Sequence, residues 1–308
     1  MNANISQLRL GRRRPIAAVP VTAALMIALL IAGATPARAA DPYAPRLKDN
    51  EHFTIDPVVD GVLTIGGAVF AELLSLILST GEIRPGEPGD PSKLLSIDRP
   101  AVTQTIDPNA ASRSDWALYA SFLYAATDVV LSGVRDGRRA LLVDFIMYAE
   151  SIAITQAFTD ATKIAVRRPR PIDYANCAPA VAASHNCADT DLELSFFSGH
   201  ASAAGAITGT ATYLAFVRSG PRSLRPWLTL GLGAALTAFI SYERVRSGEH
   251  FPTDVIMGSL AGASIGVLVP HFHRRPHYHD NTLEEPPVWI GFAPTPHNGA
   301  SVSLGARF

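Results

Sequence analysis

At 308 residues, 48% of them hydrophobic, the chain is long enough to bury one sizeable core, and a formal net charge of -1 gives no support for a nucleic-acid partner. The charge is unevenly placed. Arg9, Arg12, Arg13 and Arg14 stand near the start, and Arg167, Arg168 and Arg170 gather mid-chain, so the two groups need separate explanations.

The first group precedes an apolar run from Ile16 to Ala34, and Ala37-Arg38-Ala39 offers the small-x-small pattern of a signal-peptidase site. Residues 1–39 are therefore predicted to be an export signal, with an uncleaved membrane anchor as the alternative. Residues 40–55 read as an extended arm and residues 56–270 as one helical domain. Asp56 as N-cap and Pro57 at the first helical position open a helix that runs to Leu78. Gly81 to Pro100 is rich in Gly and Pro and is predicted to be loop, either packed on the surface or serving as a lid. Ser114 is placed to cap a second helix from Asp115 to about Ser132. A third runs from about Arg138 to Val166 and stops before Pro169 and Pro171. The loop from Pro171 to Glu193 holds Cys177 and Cys187, whose even count and close spacing favour a disulfide in an exported chain, two free thiols being the alternative.

Helix four begins near Ser198 and is rich in small residues through Ala215. Helix five spans about Pro226 to Arg244. Helix six runs from Pro252 to Val269, where Gly258, Gly262 and Gly266 recur every fourth residue and let another helix approach closely. In residues 271–308, His271, His273, His277 and His279 with Arg274 and Arg275 read as a solvated basic tail, a metal-binding tract being the alternative, and the last segment as two short strands around a His297-Asn298-Gly299 turn. The predicted fold class is all-α, a bundle of about six helices with a short C-terminal β-hairpin. Antiparallel neighbours would bring the end of helix three, the start of helix four and the turn between helices five and six to one end.

Those three places carry the chemistry. Lys163 is followed after six residues by Arg170-Pro171; Ser198-Gly199-His200 stands alone; Arg244 is followed after five residues by His250 and after three more by Asp254. Guanidinium and ammonium groups can hold an oxyanion, two imidazoles can titrate near neutrality, and a carboxylate can orient one of them. The Ser-Gly-His turn also presents backbone N–H groups at a helix N-terminus, a seat for phosphate oxygens. The pattern resembles the three-part signature of the type 2 phosphatidic acid phosphatase and vanadium haloperoxidase superfamily. It departs in two places: Phe197 stands where a proline commonly precedes Ser-Gly-His, and Glu243 where a serine commonly precedes the arginine.

The resemblance implies a phosphoric ester hydrolase working through a phosphohistidine. His250 would attack phosphorus with Asp254 orienting it, and His200 would protonate the leaving alkoxide and then activate water. Lys163, Arg170, Ser198, Gly199 and Arg244 would bind the phosphoryl oxygens. It implies no metal and no cofactor, vanadate serving only as a phosphate mimic. A vanadium-dependent haloperoxidase, with vanadate as cofactor, and a non-catalytic phosphate-binding protein are the alternatives. Arg168 is expected to face solvent or to bridge to the acids of the Cys177 loop. The substrate is a phosphate ester, lipid or small molecule, and the oligomeric state is left open. Several helices approach bilayer-crossing length, but Asp60, Glu72, Asp128, Asp144, Glu150 and Asp160 fall inside them. The expectation is a soluble periplasmic bundle with at most peripheral membrane contact, a membrane-embedded one being the alternative.

Overall fold

The computed structural model describes residues 52–80, 83, 86, 88–176, 194–274, 288–294 and 300–306. The predicted export signal, most of the arm, the Cys177 and Cys187 loop, and the tail with His277, His279 and the His297-Asn298-Gly299 turn lie outside the described residues.

Six long helices form the body: α1 (Val59–Ser79), α3 (Ala110–Asp136), α4 (Arg138–Val166), α6 (Gly199–Ser219), α7 (Leu224–Arg246) and α8 (Pro252–Phe272). Of two short ones, α2 (Arg99–Thr103) starts at the end of the stretch from Gly81 to Pro100 predicted to be loop, and α5 (Pro171–Asn176) falls inside the one from Pro171 to Glu193. Past the helices, strands β1 (Val288–Pro294) and β2 (Ala300–Ala306) run antiparallel. Asp56 caps the approach to α1, its Oδ1 accepting from the N–H groups of Val58 and Val59 at 2.9 and 3.1 Å. Ser114 does not cap α3, because that helix starts four residues earlier and Ser114 Oγ bonds back to the Ala111 carbonyl. Pro270 does not end α8 either; it lies inside the last turn, and the helix continues to Phe272.

α6 sits at the centre, against α8, α7, α4 and α3, and its alanines, glycines and threonines are mostly buried. The predicted glycine repeat finds its partner there. A Cβ on Gly262 would stand 1.9 Å from the Ser202 carbonyl oxygen, and one on Gly209 would stand 2.5 Å from that of Ala263, so the two backbones meet with no side chain between them. The remaining core gathers Met147, Leu214, Ile207 and Val129 from α4, α6 and α3, with Phe53 from the segment preceding α1.

The outside is of another kind. Val62, Phe70, Leu73 and Leu76 on α1, Trp116, Leu123 and Val134 on α3, and Trp227, Leu228 and Leu232 on α7 are each more than half exposed. Five helical segments, Val59–Ser79, Ala110–Asp136, Arg138–Tyr174, Leu224–Arg246 and Pro252–Phe272, are long and apolar enough to cross a membrane. The acids inside these helices do not oppose such crossing. Asp144 pairs with Arg218, Asp128 accepts from Tyr148 Oη at 2.9 Å and Arg225 at 3.2 Å, Asp160 accepts from Gln156 at 2.9 Å, and Asp60 and Glu150 both face His273. These five acids point into the bundle and of the six only Glu72 faces outward, so the charges within the helices no longer speak against a membrane-embedded bundle.

Candidate active site

Four helix ends and one turn build the site. Lys163 lies in the last turn of α4, and Arg167, with φ 48°, closes that helix in the left-handed region. The reversal leaves Arg167 exposed and sends Arg168 inward. Arg170 follows, 7% exposed. Ser198 caps α6, its Oγ accepting from the Ala201 N–H at 3.4 Å, and its own N–H donates to the Asp254 carbonyl at 3.2 Å. A Cβ on Gly199 would stand 3.9 Å from Lys163 Nζ, which places the ammonium at the α6 N-terminus. Arg244 lies in the last turn of α7, His250 in the connection that follows, and Asp254 in the first turn of α8.

His250 is 2% exposed, and its Nδ1 is 2.8 Å from the Ser195 carbonyl oxygen. A carbonyl only accepts, so Nδ1 carries the hydrogen and Nε2 keeps its lone pair. The orienting partner is therefore Ser195 and not, as expected, Asp254, whose Oδ2 is 3.9 Å from Nδ1 and beyond hydrogen-bonding range. Asp254 acts one step back: it accepts from Ser195 Oγ, and from the Phe251 N–H at 2.8 Å. Burial holds the His250 imidazole well below the ordinary histidine value, with Arg244 and Arg170 adding to it, so it is neutral and able to act as a nucleophile. His200 Nε2 is 2.8 Å from Asp115 Oδ1, which fixes the hydrogen on Nε2. Its pKa is pushed down to about 4, by burial first and Arg244 second, against the opposing pull of Asp115.

Two residues the sequence reading passed over organise the cations. Glu249 Oε2 accepts from Arg170 Nη1 at 3.0 Å and from Arg244 Nη2, tying both guanidiniums to one oxygen. Asp115 Oδ1 lies 4.0 Å from Arg244 Nη1 while it holds His200. Lys163, Arg170, Arg244 and Glu249 all act electrostatically on His250, and Arg244 and Glu249 act on His200 as well, so the three clusters are neighbours in the fold.

Sequence comparison agrees with this constellation. Residues 144–278 match the PAP2 superfamily. That stretch is similar to the PAP2 superfamily. The chain is 33% identical over 133 residues to phospholipid phosphatase 1 of Rattus norvegicus, covering 37% of this chain and 46% of that protein. With phospholipid phosphatase 2 of Homo sapiens it shares 29% identity over 196 residues, 56% of this chain and 62% of the relative. The chain spans about half the length of the curated relatives it matches. A crystal structure of a transmembrane PAP2-type phosphatidylglycerolphosphate phosphatase from Bacillus subtilis aligns with a TM-score of 0.41 and 20% identity, over 69% of this chain and 94% of that one.

The PAP2 region contains Lys163, Arg170, Ser198, Gly199, His200, Arg244, His250 and Asp254, but several of their partners precede it. Arg168 is not solvated as expected. Its Nη1 donates to Asp254 Oδ1, its Nη2 donates to Asp98 Oδ2 at 2.7 Å, and its guanidinium lies 4.0 Å from the Phe251 ring centroid. Asp98, fully buried, also accepts from the Thr253 N–H at 3.0 Å, so the stretch predicted as a surface loop or lid is anchored to the start of α8. The two departures from the family pattern also find their places. Phe197 is 3% exposed and packs against Phe158 at 5.8 Å between ring centroids. Glu243 turns away from the site and accepts from Arg113 Nε and Nη2 at 3.0 and 2.7 Å.

Proposed function

We propose that this protein is a phosphoric ester hydrolase acting on a lipid phosphate at one end of a membrane-embedded helix bundle, through a covalent phosphohistidine. The observation that carries the proposal is His250: a neutral imidazole whose Nδ1–H is engaged by Ser195, leaving the Nε2 lone pair in the field of Lys163, Arg170 and Arg244. Nε2 would attack phosphorus as the bond to the ester oxygen breaks, and the departing alkoxide would take a proton from His200. Water would then attack the phosphohistidine, giving its proton to His200, and inorganic phosphate would leave as the P–N bond breaks. Three cationic side chains and the α6 N-terminus would carry the charge that builds on the phosphoryl oxygens, so this step calls on no metal. The lipid substrate is supported by the five apolar helices and by the names of the phospholipid phosphatase relatives.

Detergent-purified full-length protein, assayed in excess EDTA against phosphatidic acid, a lipid diphosphate and a soluble chromogenic phosphate ester, tests this. Hydrolysis with preference for the lipids, inhibition by vanadate and a loss on the order of 10⁴-fold in His250→Ala are expected. Halide oxidation with added vanadate and peroxide, without hydrolysis, overturns it in favour of a haloperoxidase. Phosphate binding with no turnover reduces the protein to a phosphate-binding module.

A further inference from the structure

At the end of the bundle away from His250, roughly 28 Å along α8 at 1.5 Å per residue, three ligand-bearing side chains from three helical elements face one another. Asp60 comes from the start of α1, Glu150 from α4, and His273 from just past α8; their nearest ligand atoms all lie within 4.8 Å of one another. His273 Nε2 is 3.0 Å from Asp60 Oδ1 and 3.7 Å from Glu150 Oε2. The group lines a cavity of about 530 Å³ together with Thr54, Leu63 and Phe272.

His273 Nδ1 is 2.7 Å from the Val269 carbonyl oxygen, so Nδ1 carries a hydrogen and Nε2 is turned toward the two carboxylates. This is how a metal-binding histidine is usually held, its second nitrogen donating to a backbone carbonyl. Glu150 is 3% exposed, yet its Oε2 accepts no hydrogen bond from any described residue. A proton on Nε2 points along one line, toward Asp60 at the shorter distance, and leaves Glu150 unserved. A cation between the three atoms serves all of them. Around a tetrahedral Zn²⁺ with bonds of about 2.0–2.2 Å, ligand atoms sit ~3.4 Å apart, close to the spacings present.

We infer that Asp60, Glu150 and His273 form a site for a divalent transition-metal cation of the Zn²⁺ type, which clips α1 and α4 to the end of α8. Two carboxylates and one imidazole supply three ligands and match the charge of the ion, with water completing the shell. The site is independent of the chemistry at His250 and extends beyond the metal-free expectation for that pocket.

The full chain in detergent, stripped with EDTA and then freed of chelator, is titrated with ZnCl₂ by calorimetry and melted with and without Zn²⁺. One equivalent of tight Zn²⁺ binding is expected, with a melting temperature raised by about 3 °C or more. Glu150→Gln and His273→Gln should each weaken binding by about tenfold or more and abolish the thermal shift. A His277→Ala/His279→Ala double variant, which removes the histidines beyond the site, should bind as wild type does. Glu150→Gln should also retain hydrolysis, so failure here is distinguishable from failure of the phosphatase assignment. Absence of both heat and thermal shift overturns the site in favour of a protonated imidazole held by two acids. Binding that survives Glu150→Gln and His273→Gln but is lost with His277 and His279 overturns it in favour of the tail.

Discussion

Two arginine arrangements belong to this site, and on the proposed function their stoichiometry separates scaffold from phosphate-binding groups. Arg168 divides its two terminal nitrogens between two fully buried carboxylates, Asp98 and Asp254. Arg170 and Arg244 instead share a single oxygen of Glu249. The first trio sums to one negative charge and the second to one positive charge. An incoming phosphate therefore finds attraction only at the second, and the first holds the α8 N-terminus and the chain before it in place.

Breaking each arrangement should give opposite phenotypes. Arg244→Ala is expected to cost on the order of 10²–10³-fold in kcat/KM, read in steady-state hydrolysis, with little change in melting temperature. Arg168→Ala should act on the fold: two buried carboxylates lose their partner, which costs about 3–5 kcal/mol and appears as a large drop in thermal or denaturant midpoint. If instead Arg168→Ala leaves stability intact while abolishing turnover, the division of labour is wrong. Titration sharpens the contrast further. His250 must be neutral to attack and its pKa is depressed, so activity should be lost only as pH falls well below the ordinary histidine value of about 6.5. His200 must be protonated to act as acid, and with a free-site pKa of about 4, kcat/KM should fall as pH rises above that value. Asp115→Asn removes a group that favours the His200 proton, so this falling limb should move to lower pH in a pH–rate profile. The smallest effect is expected from Glu249→Gln, which removes the charge shared by Arg170 and Arg244 and should strengthen vanadate inhibition by roughly fivefold.

The spacing of Lys163, Arg170, His200, Arg244, His250 and Asp254 made the pocket's main groups legible in the sequence, and antiparallel helices were enough to bring them to one end. What stayed hidden depended on direction. Between Arg167 and Pro169 nothing in the residue types says which arginine turns inward; the left-handed residue at the α4 terminus decides it. Asp98 and Asp115 lie many residues from the groups they hold, so only the folded chain pairs them with Arg168 and His200. Glu249 was adjacent to His250 in plain view, but its role appears only when two guanidiniums meet on it. The acids within the apolar helices were misread for the same reason: composition counts a charge, whereas its cost in lipid depends on which way it faces.

The direct backbone contact between α6 and α8 bears on how such a protein can vary. Because Ser198 and His200 begin one of these rods and Asp254 begins the other, the spacing between the two helix starts is gauged by peptide groups and not by adjustable rotamers. Lateral surfaces can then be remodelled while the two helix starts keep their alignment, whereas a single added methyl at Gly262 would spread the rods and shift the residues at both starts together.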